Sequence, residues 1–286
     1  LNGAEAGETE SYEAQTYGIE SYGTESTETE NNTEQPIQDE YGYDVQTEQD
    51  ASDEYGVQVE QAKKGGNINW NYPDNIIPTD KTAASEGCLL AGVKGTYLAD
   101  AQNALDLINQ YRNEACYKWY PDPRDANRKL TSSDYKPIKW SSDLEYIARI
   151  RAAEASVLIS HTRPNGESCF SLSSPNGIES YGEVLAWNNT DSMLTGIDQW
   201  YGEKQDWLDQ DSSAETGHYT QMIDPNNNYV AIASFLNNDG KYSNATSGEF
   251  TSEENLDEET APAIKDCIQI IEFRQEDVAI SADGLD

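Results

Sequence analysis

The chain has 286 residues and a formal net charge of −35, from 53 acidic and 18 basic side chains. A surface this negative argues against nucleic acid as a partner, because phosphates would be repelled, and it disfavours adsorption to an anionic membrane. No run of about 18 apolar residues is present, so we predict that nothing in the chain spans a bilayer.

The acidic excess is concentrated at the amino end. Residues 1–62 hold 17 acidic and no basic residues, and Thr, Ser, Gly, Gln and Tyr fill most of the remainder. Such a segment cannot bury enough apolar surface to offset its chain entropy, so residues 1–64 are predicted to form a disordered, acidic, low-complexity tail. Residues 65–87 contain two prolines and several Asn and are predicted to be a linker. The chain begins at Leu1, so we expect a start codon and any signal peptide to be missing from it.

Globular patterning begins near Cys88. The apolar periodicity predicts, in chain order, a strand at 89–97, a helix at 100–114, a surface loop at 119–139, a helix from a capping box at 142–145 to about 159, a helix at 192–207, a strand at 229–236, a loop at 237–263 and a strand at 267–273. Helices come mostly first and strands mostly last, which predicts an α+β fold. The domain is placed at 88–275, followed by a flexible tail at 276–286.

Four cysteines, Cys88, Cys116, Cys169 and Cys267, occur without a CxxC pair. This spacing does not fit a zinc finger and favours up to two disulfides in an oxidising, extracytoplasmic compartment. Four cysteines allow three pairings. We favour Cys88 with Cys116, which flank the first helix, and Cys169 with Cys267.

The chain contains only two histidines. His161 lies in Ser-His-Thr-Arg-Pro-Asn-Gly (160–166), directly after the second helix, and His218 lies in Thr-Gly-His-Tyr-Thr-Gln-Met (216–222). Neither belongs to an HExxH motif, which excludes a zincin helix. Small polar residues rather than an apolar stripe surround each one, so both are candidate functional residues.

Two carboxylates occupy comparable positions. Glu183 lies inside the short apolar run Tyr-Gly-Glu-Val-Leu (181–185), and Glu203 follows Trp200 by three residues in Trp-Tyr-Gly-Glu. Taken alone, each could be a solvated side chain on an exposed face.

Taken in order, these four segments resemble the CAP superfamily: cysteine-rich secretory proteins, antigen 5 and plant pathogenesis-related group-one proteins, whose domain is also called SCP. The resemblance covers residues 101–273. The run around His161 and the Ser-Cys-Phe at 168–170 look like the bacterial branch. Eukaryotic members usually place a Trp shortly after Gly-His-Tyr-Thr-Gln, whereas Met-Ile-Asp-Pro follows here at 222–225.

The resemblance implies an α–β–α sandwich in which His161, Glu183, Glu203 and His218 converge on one open cleft. These four residues are the implied ligands of zinc or another divalent cation, although the sequence requires none. One carboxylate could instead orient an imidazole or act as a general base, which makes Glu183 and Glu203 the catalytic candidates.

Three functions remain open. The first is a secreted or surface-displayed interaction module with a metal-capable cleft, without a proven reaction, that recognises an extracellular protein, a lipid or a cell-wall ligand. The second is a peptidase- or esterase-type hydrolase that uses a metal- or Glu-activated water, although no Gly-x-Ser-x-Gly elbow is present. The third is lipid or sterol binding, for which the strongly polar 237–263 segment offers no apolar loop.

Overall fold

The computed structural model describes residues 63–278, so most of the predicted acidic tail and of the predicted C-terminal tail lies outside the described residues. No helix in the described range is long and apolar enough to cross a membrane. The strands and helices, in chain order, are Ile76–Ile77 (β1), Cys88–Tyr97 (β2), Ala101–Tyr117 (α1), Pro121–Asp122 (β3), Asp125–Lys129 (β4), Lys139–Trp140 (β5), Ser142–Val157 (α2), Gly182–Asn188 (β6), Met193–Tyr201 (α3), Lys204–Asp209 (α4), Gly217–Ile223 (α5), Tyr229–Leu236 (β7), Asn244–Thr251 (β8) and Ile264–Arg274 (β9).

The predicted α+β class is confirmed, and the predictions for β2, α1, α2, β7 and β9 hold to within a few residues. Two predictions are wrong. The helix predicted at 192–207 is two helices, α3 and α4, because the chain turns at Gly202 and Glu203. The loop predicted at 237–263 contains β8, a fully buried strand whose sequence, Asn-Ala-Thr-Ser-Gly-Glu-Phe-Thr, has no apolar alternation.

The loop predicted at 119–139 is also only partly a loop. It contains the hairpin of β3 and β4 and leads into β5, and Leu130 and Ile138 within it are buried in the main apolar core. The polar residues that indicated a loop belong to the exposed part of this segment. Leu130 and Ile138 attach the segment to the domain by packing in the core.

One mixed sheet organises the fold. Its strand order is β1-β9-β2-β7-β8-β6, and β5 pairs with β7. The contacts of β1 with β9 and of β5 with β7 are parallel, and the other pairs are antiparallel. The short β1 lies beside the long β2–β9 pair at one edge, and β6, which carries a candidate carboxylate, forms the other edge.

Helices cover both faces of the β7–β8–β6 end of the sheet. On one face, Leu185 and Ala245 pack with Ala155 of α2. On the other face, the ring of Trp200 from α3 lies close to Gly248. Since successive strand residues point to opposite faces, this arrangement is the expected α–β–α layering.

The second helix starts one residue away from the predicted capping box. Ser141 is the N-cap, and its Oγ accepts a hydrogen bond from the Leu144 N–H at 3.3 Å. Glu145 was expected to bond back to the N-cap, but its Oε2 accepts from Trp140 Nε1 at 2.8 Å and from the Ala261 N–H at 2.9 Å. A tertiary contact has therefore replaced the local one.

The two predicted disulfides are also wrong, because all four cysteines are free thiols. Cys88 lies opposite Arg274 at one end of the β2–β9 pair, and Cys267 lies opposite Gly95 near the other end. Cys116 belongs to the main apolar core, and Cys169 lies beside the candidate site. Because neither predicted disulfide is present, the cysteines no longer support the prediction of an oxidising compartment.

Candidate functional site

One half of the site joins β6 to the loop that follows α2. The Nδ1 atom of His161 lies 2.7 Å from Oε1 of Glu183. The histidine side chain is 56% exposed, whereas the carboxylate is 1% exposed. A Cβ at Gly182 would meet the Gln221 side-chain amide at 2.0 Å, so the absence of a side chain at Gly182 makes room for Gln221 of α5 beside the start of β6.

A buried arginine, Arg151, forms an ion pair with the Glu183 carboxylate. Arg151 Nε donates to Glu183 Oε2 at 2.5 Å, Nη1 to Glu154 Oε2 at 2.5 Å and Nη2 to the Ser160 carbonyl at 3.1 Å. One side chain thus connects α2, β6 and the residue that precedes His161. Burial opposes ionisation of Glu183, but the hydrogen bonds from His161 and Arg151 outweigh it and lower the pKa of the carboxyl.

Two further titratable groups lie against Glu183. Glu249 is its direct cross-strand partner on β8. Complete burial, together with the charge of Glu183, raises the pKa of Glu249 well above its ordinary value, which favours the protonated form of this carboxyl. Burial, followed by the charge of Glu183, also raises the pKa of the Cys169 thiol to about 12.

The other half of the site uses backbone donors instead of an arginine. The Nδ1 atom of His218 lies 2.5 Å from Oε1 of Glu203. Oε2 of Glu203 accepts from the backbone N–H groups of His218 and Tyr219 at 3.0 and 3.1 Å. These groups lie in the first turn of α5, where N–H groups have no partner within the helix, and the Thr216 side chain makes no capping bond. Glu203 therefore caps the start of α5 and, at the same time, orients the ring of His218.

The structure brings the two halves face to face. The ring centroids of His161 and His218 are 6.4 Å apart, with an angle of 23° between the ring planes. All four residues predicted from the sequence thus lie together, as two carboxylate–imidazole pairs. Because each Nδ1 is engaged by a carboxylate, each Nε2 remains available for another partner.

The donor set fits a divalent cation. Neutral imidazole nitrogens are typical ligands of zinc and related ions, at Zn–N distances of about 2.0–2.1 Å. A carboxylate on the second ring nitrogen is the usual outer partner of a metal-bound histidine. In the described range, the potential ligand atoms of His161, Cys169 and Glu183 all lie within 4.8 Å of one another.

Sequence reasoning missed Arg151, Glu249 and Cys169 as parts of the site. The spacing of Arg151 and Glu154 on α2 resembles an ordinary helical ion pair, and Glu249 lay in the segment predicted to be a loop. Cys169 was assigned to a disulfide. Only the strand register and the helix packing place these residues beside Glu183.

The middle of the chain is similar to a known protein family. Residues 105–251 match the model of the family described as "CAP: Cysteine-rich secretory protein family". That range includes all four site residues and does not distinguish between branches of the family. No curated protein sequence matches the chain.

Eleven chains of solved structures match as well. Venom allergen-like protein 4 of Schistosoma mansoni (SmVAL4) is 13% identical with a TM-score of 0.36, and the match covers 57% of this chain and 97% of that one. BmVAL-1 is 14% identical with a TM-score of 0.37, and the match covers 56% of this chain and 79% of that one.

Proposed function

The chain belongs to the cysteine-rich secretory protein (CAP) family, and we propose that it is a secreted or surface-displayed interaction module whose cleft binds a divalent cation. Zinc is the first candidate, because the cleft offers two imidazoles. The partner is an extracellular protein, a lipid or a cell-wall ligand that meets the chain at or beside this cleft.

The facing histidines are the observation that carries this proposal. His161 and His218 come from different elements, yet their ring centroids are 6.4 Å apart and both Nδ1 atoms are fixed by carboxylates. In this proposal the two Nε2 atoms hold the cation, and Glu183 and Glu203 orient the rings rather than ligate. A bound cation would supply a Lewis-acidic anchor for a carboxylate or carbonyl of the partner.

Exposed apolar side chains near the histidine loop support partner recognition. Ile159 precedes His161 by two residues, Phe170 follows Cys169, and Tyr181 precedes Glu183 by two; they are 47%, 47% and 64% exposed. Aromatic side chains of this kind are enriched in protein interfaces. A partner could therefore bury them while it contacts the cleft.

The bonding of the carboxylates favours binding over hydrolysis. Both oxygens of Glu183 and both oxygens of Glu203 already accept hydrogen bonds from protein groups. A general base must instead be within reach of the water that it deprotonates. These bonds make Glu183 and Glu203 poorly placed as general bases, so hydrolysis is the second candidate and is tested by activity screening.

Calorimetric titration of the tag-free chain with zinc tests the metal proposal. We expect one tight site in the parent and a loss of at least about a hundredfold in His161→Ala and His218→Ala, more than outer partners contribute. Glu258→Gln is the matched control, because Glu258 forms an exposed ion pair with Lys139 and belongs to neither half of the site. Equal zinc affinity in the parent and both histidine variants would show that the cleft is not the binding site.

Peptidase and esterase screening separates binding from hydrolysis. The parent, with and without added zinc, is expected to show no turnover. Turnover that both histidine variants abolish would replace the binding proposal with the hydrolase alternative.

A further inference from the structure

A series of buried ion pairs continues from the histidine cleft into the protein. Arg151, the partner of Glu183, also donates to Glu154 Oε2 from Nη1 at 2.5 Å. Glu154 Oε1 accepts from Nε and Nη2 of Arg163 at 3.0 and 2.9 Å. The side chains of these two arginines and of Glu154 are 0% exposed. One carboxylate therefore joins two arginines, and the second of them follows His161 by only two residues.

A segment between β1 and β2, residues 79–85, supplies the next partner. Both oxygens of Asp80 accept from Arg163, at 2.8 Å from Nη2 to Oδ1 and at 3.4 Å from Nη1 to Oδ2. The Asp80 side chain is 14% exposed. This segment falls in the range predicted to be a linker, and it lies outside residues 105–251, which match the family. Its contact with the loop that carries His161 is therefore not part of the matched range.

A lysine of the same segment binds the far side of that loop. Lys81 Nζ donates to Glu167 Oε1 at 2.7 Å and lies 2.8 Å from Oε2 of Glu272 on β9. Glu272 is 0% exposed and also accepts from Asn165 Nδ2 at 2.7 Å and from the Ser85 N–H at 2.5 Å. The segment, the loop and the last strand are thus joined through one buried carboxylate.

The loop itself gives His161 little support. Residues 157–159, 161 and 162 are exposed, whereas residues 163–165 are buried. The position of the imidazole therefore depends on its bond to Glu183 and on how the buried part of the loop is held. Ligands of a cation site must be held to within about 0.5 Å, so a small shift of this loop is expected to weaken binding.

We propose that residues 79–85 are a clamp that positions His161 for cation binding, with Asp80 and Lys81 as its positioning residues. Asp80 binds the loop at Arg163, and Lys81 binds it at Glu167. Acidic and basic side chains alternate through these contacts, as buried charges require. The cation-binding part of this inference rests on the function proposed above, whereas the positioning of the ring does not.

The two histidines of the chain make the positioning measurable. NMR of the ring C–H groups gives one set of signals for each histidine, and the two histidine-to-alanine variants assign them. In the zinc-free, full-length chain, Asp80→Asn should change the ring signals of His161 and leave those of His218 in place. A loss of global stability alone would lower the folded population without moving the signals of the folded state.

Lys81→Gln is a second variant of the clamp. It releases Glu167 instead of Arg163 and should change the same His161 signals. Calorimetry then measures the consequence for the cation site. Each clamp variant should bind zinc about 2- to 30-fold more weakly than the parent, the range typical of residues that act through a network without touching the ligand.

Asp134→Asn is the matched control. Asp134 is 11% exposed and, like Asp80, pairs with arginines, but its partners Arg124 and Arg128 belong to a different set of ion pairs. This variant loses the same charge from a similar environment. It should leave the signals of both histidines and the zinc affinity unchanged.

Two results would overturn the clamp: His161 signals that stay in place in both Asp80→Asn and Lys81→Gln, or the same change in the Asp134→Asn control. A parent chain that does not bind zinc would overturn the proposed function instead. The zinc-free spectra would still decide whether residues 79–85 position His161, so the two failures are distinguishable.

Discussion

Each histidine–glutamate pair of the cleft contains one hydrogen bond between an imidazole and a carboxylate. The two pairs differ in the exposure of their side chains and in the groups that support each carboxylate. In the first pair, the His161 side chain is 56% exposed and that of Glu183 is 1% exposed. In the second pair, His218 is 25% exposed and Glu203 is 17% exposed. The first carboxylate therefore lies in the protein interior, while the second lies near the surface.

This difference determines what each carboxylate needs. A buried carboxylate must be paired with a charge, and Arg151 provides it. A carboxylate at the start of a helix can instead use backbone N–H groups and the helix dipole, as Glu203 does with α5. We infer that disturbing the first pair affects the folding of the whole domain, whereas disturbing the second has mainly local effects.

Arg151→Met should produce the largest effect. It removes the arginine charge that balances Glu183, whose side chain is 1% exposed, whereas Glu154 keeps a second partner in Arg163. Removing one partner of a buried ion pair typically costs about 3–5 kcal/mol, because the other charge remains uncompensated. Urea unfolding of the full-length chain measures the change in the free energy of unfolding.

Arg274→Met is its control, since Arg274 is 48% exposed and pairs with Asp277 at the surface. A surface pair contributes about 0–1 kcal/mol, so this variant should unfold almost like the parent. If Arg151→Met and Arg274→Met lowered the free energy of unfolding by the same small amount, the inference that the first pair supports the folding of the domain would be wrong.

Glu183→Gln and Glu203→Gln compare the two halves directly. Both variants should bind zinc about 10–100-fold more weakly if the carboxylates orient metal-binding imidazoles. Their stabilities should differ: Glu183→Gln loses charged hydrogen bonds in the core, about 1.5–3 kcal/mol, whereas Glu203→Gln loses mainly a helix cap, about 1 kcal/mol. Calorimetry and urea unfolding on the same preparations measure both quantities.

Glu258→Gln again serves as the control with unchanged affinity and stability. Equal destabilisation by the two site substitutions would argue that Glu183 and Glu203 are supported in the same way. A loss of stability without any loss of zinc affinity would separate the carboxylates from the metal site.

The sequence grouped the four candidate residues without predicting the structure around them. Four short motifs in one order identified His161, Glu183, Glu203 and His218, because motif residues can be recognised without knowing the fold. Their pairing could not be read from the sequence: His161 is 22 residues from Glu183 and His218 is 15 from Glu203, and only the strand β6 and the turn after α3 bring them together.

Two of the errors in the fold have the same physical origin. β8 is built from small and polar residues that are buried because helices cover both faces of the central sheet, so its burial depends on tertiary packing and leaves no apolar pattern. Glu145 likewise bonds to Trp140 and to Ala261 instead of the expected cap, and Ala261, 116 residues away, becomes its neighbour only on folding. Where packing against distant elements decides burial, local pattern is a poor guide.

Glu249→Gln tests the buried half with the smallest expected effect. The pKa of Glu249 is raised in the folded state, whereas an unfolded Glu titrates near about 4.3. Above that pH the unfolded chain loses the proton while the folded chain keeps it, so the parent's stability falls as pH rises toward the folded pKa. Gln, being neutral and of similar shape, removes this penalty.

From pH 4 to pH 8, the free energy of unfolding of Glu249→Gln should therefore rise relative to that of the parent, because only the parent has a carboxyl that titrates at this position. The lowered pKa of Glu183 acts in the opposite direction: its contribution is present above the unfolded pKa and is lost as pH falls through the folded one. Because both chains contain Glu183, the difference between their unfolding curves isolates Glu249. Parallel curves across this range would show that the second carboxyl beside Glu183 is ionised, and that the buried half tolerates two charges.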